Sequence, residues 1–492
     1  MKRGSMVAII TLLVLLTSVP GAGQQTATPL TPPSPLSDEE IRKILVERVD
    51  VEHRGVGIVV GVITPQGQRI ISYGKPDGDD LPPLGGDTVF EIGSITKVFT
   101  SLLLADMVRR GEVALNDPVE KYLPAGVKVP EWKGHPIKLV DLSTQTSGLP
   151  FFPMNYPLID DPVPSAKDLA FYSLDKLYEF LNSYELLHDV GVNWEYSNLG
   201  VGLLGIALSR RAGTDFEGLV RERITGPLGM KSTGIAVSRR LKKRLAAGHI
   251  AGQKPAPDLD FPIFFANAGL AGAGSLRSTA NDMLKFLGAF LGTRKTPLAP
   301  AMAAMLETRR PGADWLAFLG GQQALGWWVI GKGNDPLIAH SGDTIGFSGS
   351  VAFDPKARFG AVALSNSVDG GTDLAMHIVR PSYALTKPGV PRAPKKEIAV
   401  DPKLFDLYVG HYQVAPNVIL VIGREGDKLW FMGPGSPRVR LHAESDRDYY
   451  IASSDVGVTF QLGPEGRAKG LILHLYGQFH LPATRIGGGA GK

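Results

Sequence analysis

Ser94 and Lys97 stand three residues apart in Glu91-Ile-Gly-Ser-Ile-Thr-Lys-Val-Phe-Thr100. On a helix that spacing places two side chains on one face, one turn apart. A serine hydroxyl is a weak nucleophile at neutral pH and needs a proton acceptor beside it. An unprotonated lysine amine can be that acceptor. Gly93 permits a sharp turn just ahead. The helix N-terminus brings positive potential and free N–H groups to the place where an acyl-transfer oxyanion would form.

Ser-x-x-Lys alone is a weak signal, and the chain has it three times. Ser72 and Lys75 fall in a strand-to-turn stretch, where the two side chains share no face. Ser173 and Lys176 lie in an amphipathic stretch, Leu169 to Leu181, on its wet side. The stretch after Ser94 is apolar almost all round: Val98, Phe99, Leu102, Leu103, Leu104, Met107 and Val108. Such a helix belongs in the middle of a domain. Burial disfavours the charged amine and lowers a lysine pKa, as a general base requires. The plain alternative is a capping serine with a snorkelling lysine.

Two further polar groupings stand out. Asn193-Trp-Glu-Tyr-Ser-Asn-Leu-Gly200 holds the one Tyr-x-Asn of the chain, Tyr196 and Asn198. A phenol near an ammonium can carry a proton, and an asparagine can donate and accept hydrogen bonds. A half-buried tyrosine in a turn is the bland reading. Ala339-His-Ser-Gly-Asp343 leads into a hairpin, with His340 and Ser341 expected on an edge strand beside a cleft and Gly342 allowing close approach to a ligand. A lone histidine is more often structural. The ten histidines show no metal-ligand spacing, so neither a metal nor another cofactor is expected. No Gly-x-Ser-x-Gly elbow and no phosphate-binding loop is present.

The elements that must position these residues follow from pattern. Ser37-Asp-Glu-Glu40 is a capping box ahead of a helix carrying Ile41, Leu45 and Val49. Val56–Ile63 and Arg69–Tyr73 read as a hairpin around Thr64–Gly67. Leu203–Arg211, Phe216–Ile224 and Ser278–Leu291 read as helices. A late hairpin, Gly349–Phe353 with Gly360–Leu364, precedes a closing helix over Thr372–Val379. This order predicts an α/β (α+β type) unit whose antiparallel sheet draws strands from both ends of the segment. Lys387–Val400 is rich in proline and charge and reads as a linker. Beyond it come six short strands: Val418–Ile422, Lys428–Met432, Val439–His442, Tyr449–Ala452, Gly457–Leu462 and Gly470–Tyr476. They indicate a small all-β barrel or sandwich.

A length of 492 residues favours more than one domain. A net charge of +4 without a basic block points away from nucleic acid and membrane surfaces. Lys2 and Arg3, the apolar run Val7–Leu16 and small residues to Gly23 read as a secretory signal, with a short membrane anchor as the alternative. Residues 24–37 read as a flexible leader. The chain has no cysteine, which excludes disulfides, thiol catalysis and a lipid-modified N-terminal cysteine. A bacterial cell-envelope protein, periplasmic or extracellular, fits these features.

Ser-x-x-Lys, Tyr-x-Asn and a basic residue-x-Gly, in that order, resemble the penicillin-recognising serine hydrolases: class C β-lactamases, D-Ala-D-Ala carboxypeptidases and related esterases. Phe90-Glu-Ile-Gly93, Leu142–Pro150 and Gly272–Thr279 are similar to the same group, and the likeness spans roughly residues 40 to 385. It implies an antiparallel sheet flanked by helices, an all-helical subdomain opposite, and a site between them, over residues 38–386. The tail, 401–488, resembles barrels appended to some members and could contact cell wall. Carried over, Ser94 would be acylated, Lys97 would take or relay its proton, and Tyr196 would protonate the leaving nitrogen. Asn198 would hold the substrate amide, and the Ser94 and Asp343 N–H groups would form the oxyanion hole. His340, Ser341, Gly342 and Asp343 would border the substrate, a β-lactam or a peptidoglycan-derived peptide. The third motif departs from the Lys-Thr-Gly usual in class C β-lactamases. A histidine near its ordinary pKa is mostly neutral at pH 7, so activity would rise below neutral pH if a charged His340 matters.

Overall fold

The computed structural model describes residues 36–487, apart from 79–80, 157–171, 251–252, 257–260, 268, 313–320, 332–334, 388–394, 416–417, 453–455 and 476–478. The segment read as a secretory signal, nearly all of the leader and half of the expected linker lie outside the described residues.

Helix α1, Asp38–Val46, opens on the expected capping box: the Ser37 N–H donates to Glu40 Oε2 at 2.7 Å, and the Glu40 N–H donates back to Ser37 Oγ. Strands β1 (Gly57–Thr64) and β2 (Gly67–Gly74) form the first hairpin. The sheet is completed by β3 (Trp328–Ile330), β4 (Leu337–Asp343), β5 (Ser348–Asp354) and β6 (Phe359–Ser365), in the order β2-β1-β6-β5-β4-β3, all antiparallel. Two-residue strands at Gln322–Gln323 and Arg310–Pro311 extend its far edge. The first strand therefore pairs with the last, Val60 opposite Ala363, closing the domain across some 300 residues of chain.

Alternation decides the two faces. Ile58, Val60 and Val62 of β1 pack with Ile41 and Leu45 of α1 and with Leu374, Ala375 and Ile378 of a short closing helix, Leu374–Val379. Val59 and Ile63 face the other way, into the larger core that also holds helix α2, Thr96–Arg109. The α1 side is tied by Arg48, 2% exposed, whose Nη2 donates to Asp373 Oδ2 at 2.7 Å. Helix α3, Asn198–Ala212, starts five residues before the stretch the pattern suggested, because Ser197 caps it by accepting from the Gly200 N–H. Among the described residues no helix is long and apolar enough to cross a membrane.

The C-terminal unit is a closed antiparallel barrel of eight strands: β7 (Gly410–Ala415), β8 (Val418–Glu425), β9 (Lys428–Met432), β10 (Val439–Ala443), β11 (Asp448–Tyr450), β12 (Val456–Leu462), β13 (Ala468–Leu475) and β14 (Phe479–Gly487). Closure comes from β7 against β14, the two strands absent from the sequence reading. Its interior is filled: Tyr408 stacks on Phe460 at 4.1 Å, with Tyr412 and Tyr449 packed around them.

Candidate active site

Gly93 adopts φ +49, in the left-handed region, and heads a tight turn over Gly93–Ile95 before α2 begins at Thr96. Ser94 sits in that turn, and Lys97 follows in the first turn of α2. The apolar surroundings of α2 bury Lys97 to 1% exposure. Its Nζ lies 2.9 Å from Ser94 Oγ, 2.6 Å from Asn198 Oδ1 and 2.7 Å from the Ala273 carbonyl. Burial holds the Lys97 amine well below the ordinary lysine range.

The Tyr196 hydroxyl donates to Ser94 Oγ at 2.7 Å, and Lys97 Nζ lies 4.7 Å from the centre of the tyrosine ring. Burial pushes the phenol above its usual range and the Asp343 charge adds to this, while the Ser94 hydrogen bond opposes it. A neutral amine beside a neutral phenol gives one proton arrangement. A neutral amine has two N–H groups and one lone pair. The Asn198 and Ala273 oxygens can only accept, so they take the two N–H groups. The lone pair is left for the Ser94 O–H, while Ser94 Oγ accepts from Tyr196. Both pKa directions favour this neutral lysine and neutral phenol.

Strand β4 closes the site. It is not an edge strand, because β3 and β5 flank it. Pairing with β3 stops at Ala339 opposite Trp328, so His340–Asp343 have a strand partner only on the β5 side. Gly342 is required for close contact with the Ser94 turn. A Cβ there would lie 2.2 Å from the Ile92 carbonyl oxygen and 2.7 Å from Ser94 N. One on Gly93 would lie 2.7 Å from Asp343 N. Two glycines thus bring the Ser94 turn and Asp343 backbone together. By register Ser341 shares a face with Ser350, whose hydroxyl donates to Gly371 O on the α1 side of the sheet.

His340 corrects the expectation of a titrating cation. It is 3% exposed and stacked on Trp328, with ring centres 4.7 Å apart and planes at 15°. Burial pushes its pKa down to about 3 against the pull of the Ser341 carbonyl. That direction favours the neutral ring through the range in which a charged His340 was to raise activity. The Asp343 carboxyl is pushed well up by burial and then by Asp369.

Two supports were missed as site residues. Ala273 acts through its carbonyl, and Gln145, at φ +60, accepts from the Ser197 N–H through its side chain and from the Glu195 N–H through its backbone. Both fall in stretches already singled out by resemblance, Gly272–Thr279 and Leu142–Pro150.

A family model described as Beta-lactamase matches residues 41–381. The chain belongs to the beta-lactamase family. Members of that family are serine hydrolases, and so is this protein. Residues 394–485 match a domain of unknown function, DUF3471. The chain is 28% identical to the D-alanyl-D-alanine-carboxypeptidase/endopeptidase AmpH of Escherichia coli (strain K12), over 77% of this chain and 97% of that one. It is similar to the crystal structure of a beta-lactamase/D-alanine carboxypeptidase from Yersinia pestis, with TM-score 0.57 and 26% identity, covering 70% of this chain and 97% of that one. The octameric penicillin-binding protein homologue from Pyrococcus abyssi, at 20% identity and TM-score 0.59, extends the likeness of fold over 91% of this chain and 100% of its own.

Proposed function

We propose that the protein is a class C-like hydrolase that forms an acyl-enzyme on Ser94 with β-lactam amides or D-alanyl-D-alanine-type peptides. The observation that carries this reading is Ser94 Oγ held between Lys97 Nζ at 2.9 Å and the Tyr196 hydroxyl at 2.7 Å. The serine proton passes to the neutral Lys97 amine as Oγ bonds to the substrate carbonyl carbon. The oxyanion takes the Ser94 and Asp343 N–H groups, each donor lowering the barrier by about 2.7–4 kcal/mol. As the C–N bond breaks, the leaving nitrogen takes the Tyr196 proton, and the Lys97 ammonium then reprotonates the phenolate. Water attacks the ester along the same route in reverse. Asn198 holds the Lys97 amine and borders the substrate amide.

An esterase on the same scaffold is favoured by one observation: His340, neutral and stacked on Trp328, brings no positive charge to the third motif. Alkoxide and phenolate leaving groups need less protonation than an amine. The secretory-signal pattern of residues 1–23 supports export to the periplasm or beyond, and the barrel is the candidate for cell-wall contact.

Intact mass of the protein and of Ser94→Ala, followed over time with a penicillin, separates these readings. A transient adduct with product release indicates a β-lactamase, and a lasting adduct a peptidase-like or penicillin-binding protein. No adduct, with nitrophenyl ester cleavage retained, indicates an esterase. An adduct that persists in Ser94→Ala overturns the whole reading.

A further inference from the structure

The barrel touches the catalytic segment. Outward-facing Val421, Trp430 and Met432 of β8 and β9 pack against Met154 and Leu187 of the hydrolase domain. The Trp430 ring lies flat across Gly423, with the Arg438 guanidinium 5.2 Å above it, and Arg438 also donates to the Tyr156 carbonyl. This contact aims the turn between β9 and β10, Gly433-Pro-Gly-Ser436, at Tyr196. The turn is internally locked: the Gly433 N–H donates to Ser436 Oγ at 2.8 Å, and the Ser436 N–H donates to the Gly433 carbonyl at 3.1 Å.

At its tip Gly435 adopts φ +63. Its N–H donates to Glu195 Oε1 at 3.2 Å, and the other oxygen of that carboxylate meets His188 Nε2 at 2.7 Å. A Cβ on Gly435 would lie 2.8 Å from Tyr196 N and 3.1 Å from Tyr196 Cβ. The Gly435 backbone thus abuts the tyrosine backbone, whose neighbours Glu195 and Ser197 are held by Gln145. A phenol that must meet Ser94 Oγ at 2.7 Å tolerates little displacement: a misplacement of about 1 Å can cost ~10²-fold in rate.

We infer that the Gly433–Ser436 turn of the barrel is a positioning element for Tyr196, so that the appended domain sets how well the hydrolase protonates an amine leaving group. The inference rests on the reading of Tyr196 as the acid for that group. Gly435 acts through Tyr196 and touches no reacting atom, so its loss should separate substrates by leaving group. Esters of good leaving groups need little protonation, and amides need it most.

The test uses the full-length chain and the acylation rates of Ser94 by a penicillin and by 4-nitrophenyl acetate, both normalised to Ser94 titrated with a fluorophosphonate. Gly435→Ala should lower the penicillin-to-ester rate ratio about tenfold through a shifted phenol. Tyr196→Phe should lower it ~10²-fold or more. Gly426→Ala is the control for backbone strain and barrel integrity: Gly426 has φ +60, and nothing lies within 4 Å of its added Cβ. It should leave the ratio at the parent value. A parent-like ratio in Gly435→Ala, beside a lowered one in Tyr196→Phe, overturns the positioning role alone, and so does an equal loss in Gly426→Ala. A parent-like ratio in Tyr196→Phe overturns the acid role and the inference with it.

Discussion

Replacing His340 with glutamine should flatten the acid side of the protein's stability curve. The folded chain buries the ring against Trp328 and holds its pKa down to about 3, from an ordinary value of 6.5. Between those values the unfolded chain binds a proton that the folded chain refuses. Stability from this residue is therefore complete above pH 6.5 and declines as pH falls toward 3. At about 1.4 kcal/mol per pH unit the decline reaches ~2 kcal/mol by pH 5 and ~4–5 kcal/mol across the whole window. Glutamine can keep a hydrogen bond but cannot bind the proton. Urea unfolding of parent and His340→Gln, followed by tryptophan fluorescence at pH 8, 7, 6 and 5, measures the difference between the two slopes. The variant should lose about 2 kcal/mol less than the parent between pH 6.5 and 5. Parallel curves would refute the reasoning, because they would mean that folded His340 takes its proton near 6.5 and brings a charge to the third motif after all.

Other outcomes follow from the same geometry. Lys97→Met should lower Ser94 acylation ~10²–10⁴-fold by removing the general base, read as penicillin adduct formation on a chain whose circular dichroism is unchanged. Gly342→Ala should lower both thermal midpoint and acylation, since its Cβ would meet the Ile92 carbonyl oxygen at 2.2 Å and part the Ser94 turn from Asp343. Arg48→Met should destabilise the hydrolase domain by about 3–5 kcal/mol, because Asp373 is left buried without its guanidinium; calorimetry of parent and variant checks this.

The nucleophile turn and the start of α1 were legible because local spacing decides them: three residues bring Ser94 to Lys97, and Ser37 with Glu40 caps the helix that begins at Asp38, whereas α3 begins at Asn198, five residues ahead of the stretch its pattern suggested. The pairing of N-terminal and late hairpins was legible from alternation. The partners that act through backbone were not, since the Ala273 carbonyl carries no residue-type signal. The state of His340 was hidden for a related reason. Its ring is buried by Trp328, on a neighbouring strand too short to show a pattern. Strand β14 was missed because Pro482 argues against a strand, and β7 because six residues with one aromatic, Tyr412, give little alternation. Nothing in Gly433–Ser436 pointed to Tyr196, more than 230 residues earlier; the docking of the barrel on the hydrolase domain, through Trp430 and Met432 on Met154 and Leu187 and through Arg438 on the Tyr156 carbonyl, brings them together.

Acylation by this route turns on a neutral Lys97 beside a protonated Tyr196. Carbon-13 NMR of the lysine Cε positions across a pH titration tests it most directly, with Lys97→Met to assign the resonance. One Cε signal should titrate well below the other lysines and be missing from the variant. A Lys97 signal titrating with the rest, near the ordinary 10.5, would contradict it.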